Sequence, residues 1–219
     1  MKMIRMLVIS VVVLMTALGV GSAAIVLSKN AFGNQDVEKV ETGTGDLVAD
    51  SVRSQLRTDI AFIAASELKA NSTSFPAGNV SSDDVAALIS YPDDPLAELN
   101  LTGKAIRQAL ERAVSIYPQP NLGFLQVSGL EFSFNPSRKA GERVASVNVN
   151  GVSLIDSRNY SVAVTNSMAN GAIGYWKVWS ASEVKTRYSN ETVAKAVADY
   201  FTSRKTVDYG VLDRITVVK

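Results

Sequence analysis

The chain has 219 residues, of which 47% are hydrophobic, and its 22 basic and 21 acidic residues leave a net charge of +1. This composition suffices for a packed domain and lacks the basic excess that nucleic-acid binding requires. Cysteine and histidine are absent, which excludes disulfides, thiolate chemistry, serine–histidine catalysis and the usual zinc ligands. A carboxylate site for Mg²⁺ or Ca²⁺ is not excluded by composition.

The first residues have the pattern of an export signal. Lys2 and Arg5 precede residues 6–27, an apolar or small-residue stretch without a charge. About 20 such residues suffice to span a bilayer, so residues 1–27 are predicted to be a single transmembrane anchor or a signal peptide cleaved near the small residues 21–24. The length favours the anchor. In both cases the positive flank stays in the cytoplasm, and the rest of the chain is predicted to be extracytoplasmic.

The polar residues 28–44 show no hydrophobic periodicity and are predicted to be a linker to a domain at 45–219. That domain opens with a predicted helix at 45–57. Asp46 and Asp50 lie near its start, where acidic side chains ordinarily complement the helix dipole. This interpretation is favoured over a pair of metal ligands.

The remaining predicted elements mix helices with strands. Strands are predicted at residues 59–65, 99–101, 124–127, 130–134, 144–149, 152–155, 160–164 and 213–218. Further helices are predicted from residue 81 to 89, after Thr102 and after Asn190, each with a capping residue at its start. Arg107 and Arg112 are assigned to the solvated face of the helix after Thr102. The order indicates an α+β fold with mostly antiparallel strands.

Several motifs of the domain resemble those of a known family. They are FLQVSG at 124–129, the turn NPSRKAGERV at 135–144, VNVNG at 147–151, GDLVAD at 45–50 and LTGKAIRQALE at 101–111. Together they are similar to the C-terminal, substrate-binding domain of the 5′-nucleotidase (UDP-sugar hydrolase) family, over roughly residues 41–215. The resemblance implies a layered α/β/β/α sandwich, with helices outside two packed, mostly antiparallel sheets.

The resemblance also implies what catalysis in this family requires. Family enzymes add a metallophosphoesterase domain, in which Asp, His and Asn residues hold two metals that activate water for attack on phosphorus. No such part is recognisable here, and without histidine the metal centre cannot be rebuilt from these residues. The chain is therefore predicted to have no catalytic residue, no metal site and no cofactor.

The candidate ligand-binding residues follow from two loops of the family. The NGGGIR loop matches residues 64–69, which lose the Asn and all three glycines. Glu67 is expected to repel a phosphate there, and Lys69 keeps the positive charge of the family arginine without its bidentate fork. The first of two rings that clamp the nucleobase aligns with Tyr91.

The second ring of the clamp is missing from the matching loop, residues 166–175, because Ser167 occupies its position. Asn166, Asn170 and Tyr175 complete the candidate set, and Tyr175, Trp176 or Trp179 could replace the lost ring. Aromatic residues next to a strand end are more often core than ligand contacts. Nucleotide binding is therefore predicted to be weak or absent.

Five asparagines begin N-x-S/T sequons, and an exported domain could carry glycans on them. They are Asn71, Asn79, Asn100, Asn159 and Asn190. The alternative is that an Asn- and Ser-rich surface produces sequons by chance.

Three functions remain open from the sequence. The first is a membrane-tethered or exported domain without catalysis, acting as a binding or interaction module at the cell envelope. The second is the substrate-binding subunit of a nucleotide phosphohydrolase that a separate metallophosphoesterase chain completes in trans. The third is a structural envelope protein. The expected partners are the membrane, through residues 6–27, and a metallophosphoesterase or another envelope protein.

Overall fold

The structure, a computed structural model, describes residues 23–70 and 73–219. The strands are β1 (Ile25–Ser28), β2 (Phe32–Gly33), β3 (Ile60–Ala64), β4 (Ser74–Phe75), β5 (Gly78–Ser81), β6 (Pro95–Thr102), β7 (Leu125–Ser128), β8 (Leu130–Phe134), β9 (Val144–Val149), β10 (Val152–Ser153), β11 (Asn159–Thr165), β12 (Val184–Thr192), β13 (Thr206–Val207) and β14 (Ile215–Val217). The α-helices are α1 (Gly43–Leu56), α2 (Ser82–Ala86), α3 (Gly103–Ala113), α4 (Asn166–Ala169) and α5 (Val193–Thr202).

Two sheets organise the domain. The larger has five strands in the order β12-β6-β11-β3-β7, and the second has four in the order β10-β9-β8-β14. Parallel pairing joins β11 to β3, β14 to β8 and β1 to β13, and the other paired strands are antiparallel. Helices α1 and α5 pack together, and α1 also contacts β3 and β7, whereas α3 contacts both β6 and β9. The α+β fold with mostly antiparallel strands is confirmed.

The longer helices begin at threonine residues whose side chains cap the first turn. Thr42 caps α1 by accepting the Gly45 N–H at 3.1 Å, and Thr102 caps α3. The last long helix differs from the prediction, because Thr192 and not Asn190 is its cap. Strand β12 pairs with β6 as far as Thr192, so the chain stays extended beyond the residue at which the sequence predicts the helix to start.

The predicted linker, residues 28–44, is wrong, because these residues belong to the folded domain. Val37 and Asn34 are fully buried, and Phe32 is nearly so. The buried amide of Gln126 on β7 donates to the carbonyl oxygens of Val37 at 3.2 Å and Val40 at 2.8 Å. Periodicity does not reveal such a segment, since its partners lie far away in the sequence.

The predicted end of the membrane segment, residues 6–27, is also wrong. Its last three residues belong to β1, which pairs with β5 and β13. Residues 1–22 lie outside the described residues. Within residues 23–70 and 73–219, the structure contains no helix of the length and apolar character that crossing a membrane requires.

Candidate functional site

The loops that carry the predicted site meet at one edge of the five-stranded sheet, named here the ligand edge. Strands β3 and β11 run parallel and end there, whereas β6 and β7 begin there. In register, Thr165 lies opposite Leu96 and Ala64 opposite Leu125. The ligand edge therefore collects residues 65–69, 91–94, 121–124 and 166–177, as the two family loops require.

Glu67 is a buried carboxyl group at the centre of the ligand edge. One oxygen accepts the Ala64 N–H at 2.8 Å, and the other accepts the hydroxyl of Thr165. Burial raises the pKa of Glu67 to about 7, although both hydrogen bonds favour the charged form. No ion pair to Glu67 is present in the described part of the chain. Its repulsion of a phosphate is therefore weaker than the sequence suggests, since the group is partly protonated at neutral pH.

Lys69 does not extend into the ligand edge. Its ammonium donates to the carbonyl oxygen of Ala87 at 2.7 Å, and its backbone N–H donates to Leu88 at 2.8 Å. Both acceptors follow the last turn of α2, where a cation offsets the negative end of a helix dipole. The charge that replaces the family arginine is thus engaged with the protein itself.

Asn166 begins the short helix α4, Asn170 directly follows its last residue, and the two side chains share one partner. The guanidinium of Arg187, on the edge strand β12, donates to the side-chain oxygen of Asn170 at 2.8 Å and also to that of Asn166. The sequence does not predict this contact, because the contact depends on strand β12, for which no strand is predicted. The side-chain oxygens of both candidate asparagines are therefore occupied within the protein.

Tyr175 is the clearest correction among the predicted site residues. It is fully buried, its hydroxyl donates to the carbonyl oxygen of Gly123 at 2.7 Å, and its ring stacks on Trp179 with centroids 4.7 Å apart. Burial raises its pKa well above the usual range. Neither Tyr175 nor Trp179, which is also buried, offers an open face to a nucleobase.

Arg112 was assigned to a solvated helix face, and this assignment is also wrong. Its guanidinium lies 5.6 Å from the centroid of the Tyr175 ring and donates to the carbonyl oxygen of Ile173. A Cβ on Gly174, which has a φ of +84°, would lie 2.6 Å from this guanidinium. The sequence does contain one indication of this position. Arg112 follows the buried Ala109 by three residues, so helical spacing places it at the border of the buried face of α3.

Two aromatic rings at the ligand edge remain accessible. Tyr91 is 63% exposed and Trp176 is 66% exposed. The ammonium of Lys177 lies 5.2 Å from the Trp176 centroid, so this ring already stacks with a cation. Cavities of about 470 Å³ occur elsewhere, one of them between the segment around Phe32 and that around Tyr209.

A second charged cluster lies at the opposite edge of the sheet, and the sequence did not reveal it. Arg214 binds both oxygens of Asp50, at 2.8 and 3.0 Å, and its Nε lies 3.6 Å from Asp46. Burial raises the pKa of Asp46 to about 9. The interpretation of these two aspartates as dipole partners is incomplete, because their main contact is an arginine more than 160 residues away.

Glu41 completes this cluster and fixes the last strand. Its carboxylate accepts the backbone N–H groups of Asp213 and Arg214, each at 3.1 Å, and that of Ile215 at 2.7 Å. In the described ranges, no group of three or more Asp, Glu, His or Cys side chains is arranged to hold a metal ion.

Comparison with known proteins gives the same family over most of the chain. The sequence-family model described as '5′-nucleotidase, C-terminal domain' matches residues 19–180. A trifunctional nucleotide phosphoesterase of Bacillus subtilis is 29% identical over 147 residues, 64% of this chain and 10% of that protein. Human 5′-nucleotidase is 26% identical over 146 residues, 63% of this chain and 25% of that protein.

Solved structures share the fold. A 5′-nucleotidase precursor from Thermus thermophilus has a TM-score of 0.78 at 30% identity, covering 90% of this chain and 40% of that one. The NAD nucleotidase of Haemophilus influenzae has a TM-score of 0.74 at 15% identity, covering 89% of this chain and 38% of that one. The chain thus spans about a tenth and a quarter of the two curated relatives, and about two fifths of each solved structure.

Proposed function

Since the chain belongs to the 5′-nucleotidase C-terminal domain family, we propose that it is an extracytoplasmic binding or interaction module of the cell envelope without catalysis of its own. One observation carries the proposal. The polar groups that the family loops would direct at a nucleotide are used within the protein: Arg187 occupies both candidate asparagines, and Lys69 binds a backbone carbonyl.

The lack of catalysis rests on the chemistry of the residues. A two-metal phosphoesterase centre uses histidine ligands, and this chain has none. We expect no phosphate release from AMP, UDP-glucose or an aryl phosphate with added Mn²⁺, Zn²⁺ or Co²⁺. The Thermus relative serves as a positive control in the same assay. Metal-dependent turnover that survives repurification would show that the proposal is wrong.

The place in the envelope rests on the basic start and the apolar residues 6–24 that precede β1. We propose that this stretch tethers the domain to the membrane, with the sheet beginning directly outside. The protein should then remain in the membrane fraction with an intact N-terminus. N-terminal sequencing that finds Ala24 or Ile25 first would instead indicate a cleaved signal and a released domain.

The sequons belong to the same question of location. Asn79, Asn100, Asn159 and Asn190 are all exposed, and Asn71 lies outside the described residues. Glycans on them remain a prediction, which intact-mass measurement of the native protein tests.

A substrate-binding subunit completed in trans is the second candidate. The observation that favours it is the exposure of Tyr91 and Trp176, two rings at the ligand edge. Stacking on a base is worth about 1–3 kcal/mol, and each lost charged hydrogen bond costs roughly 1.5–3 kcal/mol. A micromolar family site without its polar partners therefore falls to the millimolar range or beyond.

Calorimetry with AMP and adenosine separates the two candidates. The non-catalytic module predicts millimolar or weaker binding of both ligands, with adenosine no weaker than AMP. Micromolar binding of AMP that is lost in both Tyr91→Ala and Trp176→Ala, and retained in the control Tyr188→Ala on β12, would favour the subunit completed in trans.

A further inference from the structure

A cavity of about 470 Å³ lies at the opposite edge of the five-stranded sheet from the ligand edge, where α1 and α5 both end. Three guanidinium groups line it, together with three hydroxyl groups and one carboxylate. The lining residues are Arg53, Arg57, Arg204, Ser54, Thr58, Tyr200 and Asp50. We name it the arginine cavity. It shares no residue with the ligand edge, so its function is separate from the one proposed above.

The three guanidinium groups have no carboxylate partner of their own. Arg53 donates to neutral oxygens, the Asp59 carbonyl at 2.9 Å and the Asn150 side chain at 3.0 Å. Arg57 and Arg204 are exposed, and in the described part of the chain neither makes an ion pair. The Arg204 guanidinium lies 4.2 Å from the centroid of the Tyr200 ring.

Three of the nearby carboxylates bind a cation outside the cavity, and that of Asp59 accepts the N–H and the hydroxyl of Ser161, each at 2.9 Å. Asp50 binds Arg214, which lies outside the lining of the cavity. Asp199 binds Lys195 at 2.6 Å, and Glu191 binds the same ammonium at 3.0 Å. The cavity therefore presents positive charge that no acidic side chain neutralises.

The C-terminal ends of α1 and α5 offset only part of this positive charge. Each helix C-terminus carries the equivalent of about half a negative charge, so α1 and α5 together offset roughly one arginine. Two guanidinium charges remain. Such forks bind phosphate through paired N–H···O contacts, and the volume fits a small phosphorylated molecule and not the phosphate alone.

From this arrangement we propose that the arginine cavity binds a ligand that carries a phosphate group. The position of the cavity allows two sources of that group. Arg204 lies two residues before the start of β13, and β13 pairs with β1, the first described strand after the apolar N-terminal stretch. A phospholipid headgroup and a soluble phosphate ester therefore both have access, and the experiment distinguishes them.

The test uses the full chain in neutral detergent micelles and measures binding by calorimetry. Glycerol 3-phosphate is the soluble probe, short-chain phosphatidylglycerol is the lipid probe, and short-chain phosphatidylcholine is the zwitterionic control. We expect at least tenfold weaker binding for each arginine removed in Arg57→Gln and Arg204→Gln. The matched control is Arg138→Gln, an exposed arginine of the turn before β9, with unchanged affinity.

Each outcome decides the proposal. Binding of glycerol 3-phosphate that the two variants weaken supports a soluble ester, and binding of phosphatidylglycerol alone supports a headgroup. Absence of binding of both probes at millimolar concentration overturns the proposal, as does an equal loss in Arg138→Gln. Thermal denaturation confirms that the variants are folded, which is expected because both side chains are exposed.

Discussion

Each edge of the five-stranded sheet holds a carboxyl group that is fully or largely buried, and the partners of that group differ between the two edges. At the ligand edge, Glu67 accepts hydrogen bonds only from neutral groups, the Ala64 amide and the Thr165 hydroxyl. At the opposite edge, Asp50 is bound through both oxygens by the guanidinium of Arg214. At the opposite edge a cation pairs with Asp50, and burial raises the pKa of the neighbouring Asp46 to about 9, whereas at the ligand edge Glu67, with a pKa of about 7, has neutral donors alone.

The difference shows how a buried carboxyl group is accommodated with and without a cation beside it. A buried carboxylate without a counter-ion is costly, and its pKa rises until the neutral form is populated. Lys69 is held at the end of α2, so Glu67 must be stabilised by neutral donors. The buried carboxyl group of the ligand edge is therefore held by neutral donors, whereas the arginine cavity lies at the opposite edge.

The largest effect is expected from removing the cation of the charged edge. In Arg214→Met, Asp50 and its neighbour Asp46 lose the only guanidinium that they bind among the described residues. Breaking a buried pair on one side costs about 3–5 kcal/mol, and the partial exposure of this pair favours the lower end, about 3 kcal/mol. Urea unfolding measures the loss. The control Arg158→Met, which removes an exposed arginine, should cost under about 1 kcal/mol, and an equal loss in both variants would contradict the comparison.

At the ligand edge, the titration of Glu67 should make the stability of the domain depend on pH. The native pKa of Glu67, about 7, lies above the ordinary glutamate value of 4.5, so the native state binds the proton more tightly than the unfolded state does. The contribution of Glu67 to the free energy of unfolding therefore falls as the pH rises from 4.5 to about 7, and it levels off above that range. Asp46, with a pKa of about 9, acts in the same direction.

The variant Glu67→Gln isolates the contribution of Glu67, because glutamine imitates the protonated form. Relative to the wild type, we expect it to gain roughly 2–3 kcal/mol in free energy of unfolding between about pH 5 and about pH 8. Urea unfolding at both pH values measures the difference. A pH-independent difference would mean that Glu67 is ionised in the native state throughout this range.

A smaller effect is expected from the hydroxyl that supports Glu67. Thr165 donates to Glu67 and caps α4 by accepting the Met168 N–H at 3.1 Å. Thr165→Val should cost about 1–2 kcal/mol and shift the fall in stability to higher pH, since this hydrogen bond lowers the pKa of Glu67. The control is Thr192→Val, which removes a helix cap without a carboxyl partner and should leave the pH profile unchanged.

The smallest effect is expected at the surface of the ligand edge. Arg187→Ala releases Asn166 and Asn170, but these contacts are exposed and should contribute under about 1 kcal/mol. Lys177→Ala, which removes an exposed cation without a side-chain oxygen partner, is the control. A loss well above 2 kcal/mol for Arg187→Ala in urea unfolding would indicate that the contact organises the whole edge.

Elements held by local signals could be predicted from the sequence. The Thr102 cap with the apolar face of α3, the alternating residues of β8 and the Asn150-Gly151 turn between β9 and β10 all lie where the sequence places them. Their hydrogen bonds and apolar contacts are set by spacing along the chain, so periodicity and turn chemistry suffice. The same motifs were enough to indicate the family.

The placement of the site residues could be predicted only in part. The family loops do meet at one sheet edge, which follows from the strand directions. The sequence could not show that Tyr175 lies in the core, that Arg187 holds both asparagines, or that Arg112 turns inward. Each of these depends on a partner more than 15 residues away, on another element.

The sequence by itself determined the composition-based limits on catalysis, the order of the main strands and helices apart from β12, and the family motifs, because each depends on residue type or on near neighbours. Tertiary structure decided which polar groups remain available to a ligand. Residues 28–44 are a folded segment because the side chain of Gln126 on β7 forms hydrogen bonds with their backbone. Asp50 forms an ion pair because the chain before the last strand brings Arg214 beside α1. Desolvation and charge pairing act across space, so they emerge only when distant segments are packed together.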